Sequence, residues 1–287
     1  MAILEVKNLT HAYKGSSPFI NDAVSKVSFT VEKGEIIGII GHTGSGKSTL
    51  VQHLNGLLKP TSGNVLFENS DIWEKPKEIR KIRSKVGLVF QYPEYQLFEE
   101  TVFKDISFGP RNMGLSDKEV DATVREICDV VGVKPEFFDK SPFDLSGGEK
   151  RRVAIAGVMA MKPEVIVFDE PTAGLDPKGR EDIMEIISKY RESFSATVII
   201  ISHSMEDMAL LADRILVMNK GEIYKFGTSD EVFSDVEGLK AIGLNVPIVT
   251  RIFLSLKNSG VNVDTNVYTV KKAVETLKKL KEGNSNA

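Results

Sequence analysis

The sequence predicts an α/β fold built on a mainly parallel sheet, and two patterns carry that prediction. Short β-branched apolar runs ("EIIGIIG", "VGLVFQ", "VIVFDE", "TVIIIS" and "RILVMN") alternate with segments of helical period. Continuous apolar strands interleaved with helices are the pattern of a parallel sheet covered on both faces. The second pattern is a glycine-rich loop, "GHTGSGKST" at residues 41–49, set between the strand "EIIGII" and the helical segment "STLVQHLNGLL".

Each element follows in order. "AILEVKNLTHAY" and "VSFTVEKGE" read as antiparallel strands, the second ending in a Lys33–Gly34 turn. Val120, Val124, Ile127 and Val131 fall at i, i+4, i+7 and i+11, as do Ile183, Ile187, Tyr190 and Phe194, so both sets predict amphipathic helices. "RILVMNKGEIYKFG" predicts a hairpin turning at Asn219, Lys220 and Gly221. After about residue 235 the pattern changes to a hinge-like "GLNVPIV" and then a Lys-rich helix from about Val267 to Lys281. On that helix Val270, Val274 and Leu277 form one face and Lys271, Lys272, Lys278 and Lys279 lie largely elsewhere, the pattern of a stripe docked on protein with its lysines in water.

Composition narrows the function classes. The 287 residues suffice for one large domain or two modest ones. Charged residues make up 27% of the chain but the net charge is only −3, which lacks the basic surplus of a nucleic-acid binder. The single cysteine, Cys128, builds no disulfide framework and suits a reducing cytoplasm. The opening "MAILEVKNLTHAYKG" does not read as a signal peptide. The longest apolar runs fall short of the ~20 residues a membrane helix needs, so a membrane role requires another chain to do the spanning.

Residues 41–49 match the phosphate-binding pattern G-x-x-x-x-G-K-[ST] in its required strand–loop–helix setting, which predicts a P-loop NTPase core. Gly41, Gly44 and Gly46 let the backbone of His42, Thr43, Ser45 and Thr49 curl so that N–H groups point at phosphate oxygens. Lys47 would bridge the β- and γ-phosphates, and the Ser48 hydroxyl would ligate Mg²⁺. In "VIVFDEPTAGLD" an apolar strand delivers Asp169 to the carboxyl edge of the sheet, where ligands bind in such folds. Asp169 would hold the Mg²⁺ shell and Glu170 would polarise an attacking water. His203, closing "TVIIISH", offers donor and acceptor together and so suits sensing of a γ-phosphate.

The stretch "LSGGEKRRVAIAGVMAMKPEVIVFDEPTAGLD" resembles the signature and acidic-strand region of ABC-type ATPases, and the resemblance runs from residue 1 to about 235. It implies a nucleotide-binding domain over 1–235, with a helical subdomain inserted at about 92–162 beside an antiparallel β-subdomain, and a small C-terminal helical extension over 236–287. It also implies that Ser146, Gly147 and Gly148, with Glu149 closing the motif, contact an ATP held by a second subunit. A serine and two glycines opening a helix are a physically suitable anion site. Tyr13 falls where such proteins stack an aromatic on adenine, Asp176 where an acid crosses the dimer interface, and Gln91 where a glutamine touches Mg²⁺ or water and faces the membrane partner. The implied catalytic set is Lys47, Gln91, Glu170 and His203.

"QYPEYQLFEETVFKDISFGPRNMG", residues 91–114, resembles the same region in the ATPases of energy-coupling factor transporters, which import vitamins and metal ions, and looks most like the second of their two paired ATPases. The resemblance implies an ATP- and Mg²⁺-dependent hydrolase, peripheral on the cytoplasmic face of the cell membrane. Its implied partners are a paralogous or identical ATPase in a head-to-tail dimer, a transmembrane scaffold subunit docking near Gln91–Phe98 and, indirectly, a substrate-binding membrane subunit. Tyr92, Pro93, Tyr95 and Phe98 are expected in the docking groove, and Phe103, Ile106 and Phe108 in the subdomain core. Two alternatives stay open at this point: the ATPase of a conventional binding-protein-dependent importer, and a soluble ABC ATPase. The run "QYPEYQLFEETVFKD" argues against the first. The second predicts a long coiled coil, zinc cysteines, a basic surplus or tandem ATPase domains, none of which the sequence contains.

Overall fold

A computed structural model describes residues 1–13 and 22–284 of the chain. In chain order the strands are β1 (Ala2–Ala12), β2 (Asp22–Glu32), β3 (Ile36–Ile40), β4 (Ser62–Phe67), β5 (Ser70–Asp71), β6 (Val86–Val89), β7 (Val165–Asp169), β8 (Thr197–Ile201), β9 (Arg214–Asn219) and β10 (Glu222–Gly227). The helices are α1 (Lys47–Leu54), α2 (Ile79–Lys85), α3 (Val102–Asn112), α4 (Asp117–Val131), α5 (Gly147–Met159), α6 (Pro177–Phe194), α7 (Met205–Leu211), α8 (Ser229–Phe233), α9 (Val236–Ala241), α10 (Ile248–Asn258) and α11 (Val270–Asn284).

The strands form a six-stranded sheet of order β10-β9-β3-β8-β7-β6 and a four-stranded sheet of order β2-β1-β4-β5. Every pairing in the large sheet is parallel except the β9–β10 hairpin, and the small sheet is wholly antiparallel. Because side chains alternate along a strand, the apolar runs feed two cores at once. Ile36, Ile40, Ile166, Phe168, Val198 and Ile200 join the core that also holds the apolar faces of α3, α4, α5 and α6. Their neighbours Ile37, Ile39, Val165, Val167, Ile199 and Ile201 join the opposite core, shared with α1 and the antiparallel sheet.

Local chemistry decides where elements stop. The helix after the glycine loop ends at Leu54, earlier than "STLVQHLNGLL" suggests, because Asn55 caps it and Gly56 follows at φ 68°. In α4 Ser116 and Glu119 form a reciprocal capping box and Gly132 closes the other end at φ 72°. The hairpin turns as predicted, with Lys220 at φ 49° and Gly221 at φ 83°, the pair of positive φ values that matches strand twist. The last helix begins at Val270 and not at Val267, because Thr269 caps it, its carbonyl accepting from the Ala273 amide at 3.0 Å and its hydroxyl from the Lys272 amide at 3.3 Å. Helix α10, which follows the hinge-like "GLNVPIV" and which no pattern above predicts, packs Phe253 with Val263, Val267 and Ala273 in a small third core. Among the described residues, no helix is long and apolar enough to cross a membrane.

Candidate nucleotide-binding and catalytic site

The parallel strands β3, β6, β7 and β8 run in one direction, so the segments that follow them emerge at one edge. They deliver the loop 41–46, Gln91, Asp169–Glu170 and Ser202–His203. A cavity of about 460 Å³ opens there, lined by Gly44, Lys47, Ser48, Gln91, Glu170 and His203 among others. The topology has thus assembled residues from four distant parts of the chain in the crevice where α/β folds bind ligands.

The loop can take only this course with glycine in place. Gly46 sits at φ 98° at the N-terminus of α1, and a Cβ there would lie 2.2 Å from the Ala23 carbonyl oxygen. The loop is buttressed by β2 and by the hairpin: the Gly221 amide donates to the Ser45 carbonyl at 3.1 Å, and His42 Nε2 lies 3.1 Å from Asn219 Oδ1. Lys47 is buried, its ammonium donating to the Gly41 carbonyl at 2.8 Å and the His42 carbonyl at 3.0 Å. Burial pulls its pKa below the ordinary lysine value, and the charges of Glu170 and Asp169 work against that shift. Behind the loop, the Nδ1 atom of buried His53 pairs with the Thr49 carbonyl, and burial pushes its pKa down to about 4.

The acids occupy distinct settings. Asp169 is buried, which raises its pKa; a hydrogen bond from Ser48 is the largest influence in the other direction. Glu170 adopts φ 51°, a conformation uncommon for a residue with a side chain. Its carboxylate is gripped from both sides, accepting from Gln91 Nε2 at 2.9 Å at one oxygen and facing His203 Nε2 at 2.7 Å at the other. Gln91, Glu170 and His203 therefore form one cluster beside the loop, all three lining the same cavity. Tyr13 is exposed at the rim, its hydroxyl 3.3 Å from Thr49 Oγ1 and its ring edge-on to His11 at 4.7 Å.

Ser146, Gly147, Gly148 and Glu149 lie elsewhere. None lines the cavity. Ser146 and Glu149 cap α5 reciprocally, and a Cβ at Gly147 or Gly148 would meet nothing within 4 Å, so this helix start is open to solvent. Asp176 also stands outside the cavity, capping α6 by accepting from the Gly179 amide at 2.7 Å.

The aromatic stretch divides differently from expectation. Tyr95 and Phe98 are 84% and 57% exposed and Tyr92 partly so, but Pro93 is buried. Ile106 is buried and Phe103 packs on Phe138, as expected of core residues. Phe108 does not join them: it is exposed and stands edge-on to Phe98 at 4.9 Å, because its position on α3 faces outward. The patch is thus Tyr92, Tyr95, Phe98 and Phe108.

Arg151 was singled out by no sequence pattern. Its guanidinium, 4% exposed, makes a two-pronged pair with Glu94 (2.9 and 2.6 Å) and donates to the Ala173 carbonyl at 2.8 Å. Only the fold brings these residues together, and an arginine in a basic "EKRR" run looks like a solvated one.

The phosphate loop, the paired acids at a strand end and a second glycine-rich helix start outside their cavity define an ATP-binding cassette ATPase. An ABC transporter family profile matches residues 24–173. Along nearly its whole length the chain is 52% identical to the energy-coupling factor transporter ATP-binding protein EcfA2 of Clostridium perfringens, covering 98% of this chain and 99% of that one. It is 51% identical to the protein of the same name from Clostridium tetani, over 96% of each. Among solved structures, cbiO1 of Clostridium perfringens, described as part of the ABC transporter complex cbiONQ, superposes with a TM-score of 0.74 at 37% identity, over 90% of this chain and 97% of that one. The ATP-binding cassette MJ0796, in a dimeric post-hydrolysis state bound to ADP and Pi, superposes with a TM-score of 0.70 at 31% identity, over 79% of this chain and 98% of the other. The chain belongs to the energy-coupling factor transporter ATP-binding proteins and is an ATP-hydrolysing subunit of a transporter of that type.

Proposed function

We propose that this ATPase energises import of a vitamin or transition-metal ion by closing and reopening a head-to-tail dimer beneath a membrane scaffold subunit, with substrate selected by a further membrane subunit. In this reading residues 1–235 are the nucleotide-binding domain, with a helical subdomain inserted at about 92–162, and 236–287 are an appended extension. The working position is the cytoplasmic face of the membrane. The gripped Glu170 carboxylate over the phosphate loop is the observation that carries the catalytic part.

In the proposed mechanism the amides of residues 41–49 and Lys47 hold the triphosphate, and Tyr13 stacks on the base. Lys47 now donates to loop carbonyls, so its charge is already desolvated and aimed inward, where a phosphate oxygen replaces a carbonyl with little reorganisation. The oxygen donors Ser48, Asp169 and Gln91 suit a hard cation of the Mg²⁺ kind. When bound, Mg²⁺ supplies charge neutralisation at the β- and γ-phosphates. Glu170 accepts the proton of the attacking water, while His203 and Gln91 orient its carboxylate. The free helix start at Ser146, Gly147, Gly148 and Glu149, with Asp176, serves the nucleotide of the opposing subunit, because it lies outside this chain's own cavity. Closure is favoured by ATP to the extent that these contacts exist only in the closed dimer.

The exposed patch of Tyr92, Tyr95, Phe98 and Phe108 is the docking surface for the membrane scaffold. Replacing Tyr95 and Phe98 together by alanine is expected to leave ATP binding nearly intact and to weaken scaffold capture by about 2 kcal/mol or more, since aromatic anchors dominate such surfaces. Pull-down of the co-expressed membrane subunit beside nucleotide binding on the same preparations measures both. Normal capture by the double variant would move the docking surface elsewhere.

A further inference from the structure

Two separate ties join the aromatic segment to the loop that carries the catalytic glutamate. The first is direct: Gln91 Nε2 donates to Glu170 at 2.9 Å. The second passes through Arg151, which projects from the first turns of α5, five residues past Ser146. Its Nε and one terminal nitrogen bind the two oxygens of Glu94, and its other terminal nitrogen reaches the carbonyls of Ala173 (2.8 Å) and Pro171 (3.3 Å). The same guanidinium lies over the Tyr92 ring at 5.7 Å from the centroid. On its far side the loop closes on itself, for the Ala173 amide donates to the Glu170 carbonyl at 3.1 Å. Residues 91–94, Arg151 and residues 170–173 thus form a closed ring of contacts.

Three features make this ring more than packing. Tyr92 is held in the left-handed region at φ 55°, a conformation that persists only where surroundings over-determine it. Gly174 comes so close that a Cβ on it would lie 3.4 Å from Tyr92 Cε1, so the loop rests against the aromatic segment directly. And the guanidinium is almost wholly withdrawn from water, where a bidentate carboxylate contact fixes geometry in a way a lysine point charge cannot.

The geometry points to Arg151 as a positioning residue that locks the loop following Glu170 to the segment 92–94, so that load on the aromatic patch is transmitted to the catalytic carboxylate. Arg151 touches no reacting atom; it acts by setting where residues 170–173 sit. The part of this inference that concerns the patch rests on the docking reading above, while the clamp itself is a property of the chain alone.

The test uses the full chain in its ATPase dimer, with Arg151→Lys and the nearly isosteric Glu94→Gln. Three quantities are read: KM and kcat for ATP, amide hydrogen exchange across residues 172–175, and the stimulation of kcat by the co-expressed membrane subunit. Both variants are expected to keep KM within about two-fold, because the phosphate loop is untouched. Both are expected to lower kcat about five-fold or more and to speed exchange at Ala173 and Leu175 without speeding exchange in the interior of α5. Stimulation by the membrane subunit should be lost while capture of that subunit is retained. The double variant should be no worse than the poorer single one, as for residues acting as one unit. Wild-type kcat and exchange in Glu94→Gln would overturn the proposal, as would a kcat loss that merely follows a fall in Tm in both variants. If Arg151→Lys fails to fold, Glu94→Gln decides alone. If the wild-type chain captures no membrane subunit, the docking reading falls, and the clamp stands or falls on kcat and exchange.

Discussion

Lys47 shows how a single residue is prepared for its task. Its ammonium is buried among carbonyl oxygens and near two carboxylates. Desolvation weakens its hold on the proton, and Glu170 and Asp169 resist that loss, so the charge is retained in a low-dielectric crevice where it acts most strongly on phosphate. Lys47→Ala removes the ammonium of the loop and leaves the backbone amides. It is expected to weaken ATP binding by about 3 kcal/mol, on the order of 100-fold in Kd. Titration with a fluorescent ATP analogue measures this, and wild-type affinity in the variant would remove Lys47 from the phosphate site.

At the scale of elements, the joint between α5 and the aromatic segment is held by a charge pair whose arginine is buried and whose glutamate is partly so. Such a pair adds little net stability when intact, because desolvating two charges offsets their attraction, yet breaking it strands a charge. Glu94→Ala leaves the Arg151 guanidinium with the Pro171 and Ala173 carbonyls and the Tyr92 ring but no carboxylate, so it is expected to destabilise the fold by about 3 kcal/mol. Adding Arg151→Met removes the stranded charge and should restore part of that loss, a non-additivity characteristic of residues in direct contact. Urea unfolding of the two single variants and the double variant checks the expectation. A double variant as unstable as the sum of its parts would show that the pair is not coupled.

At the scale of the whole molecule, the chain carries two anion-suited features that cannot serve one nucleotide. The phosphate loop lines the cavity, and Ser146 to Glu149 do not. The head-to-tail dimer proposed above would use both, with nucleotide between them. Glu170→Gln keeps a hydrogen-bonding group facing His203 and Gln91 but cannot take a proton from water. ATP binding should persist, and turnover should fall by about 100-fold or more. Size-exclusion chromatography in Mg·ATP should then show an accumulated dimer, of this chain with itself or with a paralogous ATPase. Unchanged turnover would place the base elsewhere in the site.

The order of strands and helices, the phosphate loop, the acids at Asp169 and Glu170 and the histidine at His203 were legible in the residues alone. Each depends on local rules: glycine freedom, the periodicity of buried apolar residues, and the tendency of parallel strands to bring their ends to one edge. Other features were settled only by packing between residues far apart in sequence. Phe108 faces solvent because of how α3 lies on its neighbours, and nothing in "DISFGP" distinguishes it from a core phenylalanine. Pro93 turned inward while Tyr92 and Tyr95 stayed out, because the left-handed Tyr92 reverses the chain just before it. The course of α10 depends on a third core whose members, Phe253, Val263, Val267 and Ala273, meet only after the chain doubles back. The Arg151–Glu94 pair joins residues 57 positions apart. Local sequence records what a residue can do, whereas burial of a charge depends on which distant surface closes over it, and that is a property of the folded chain.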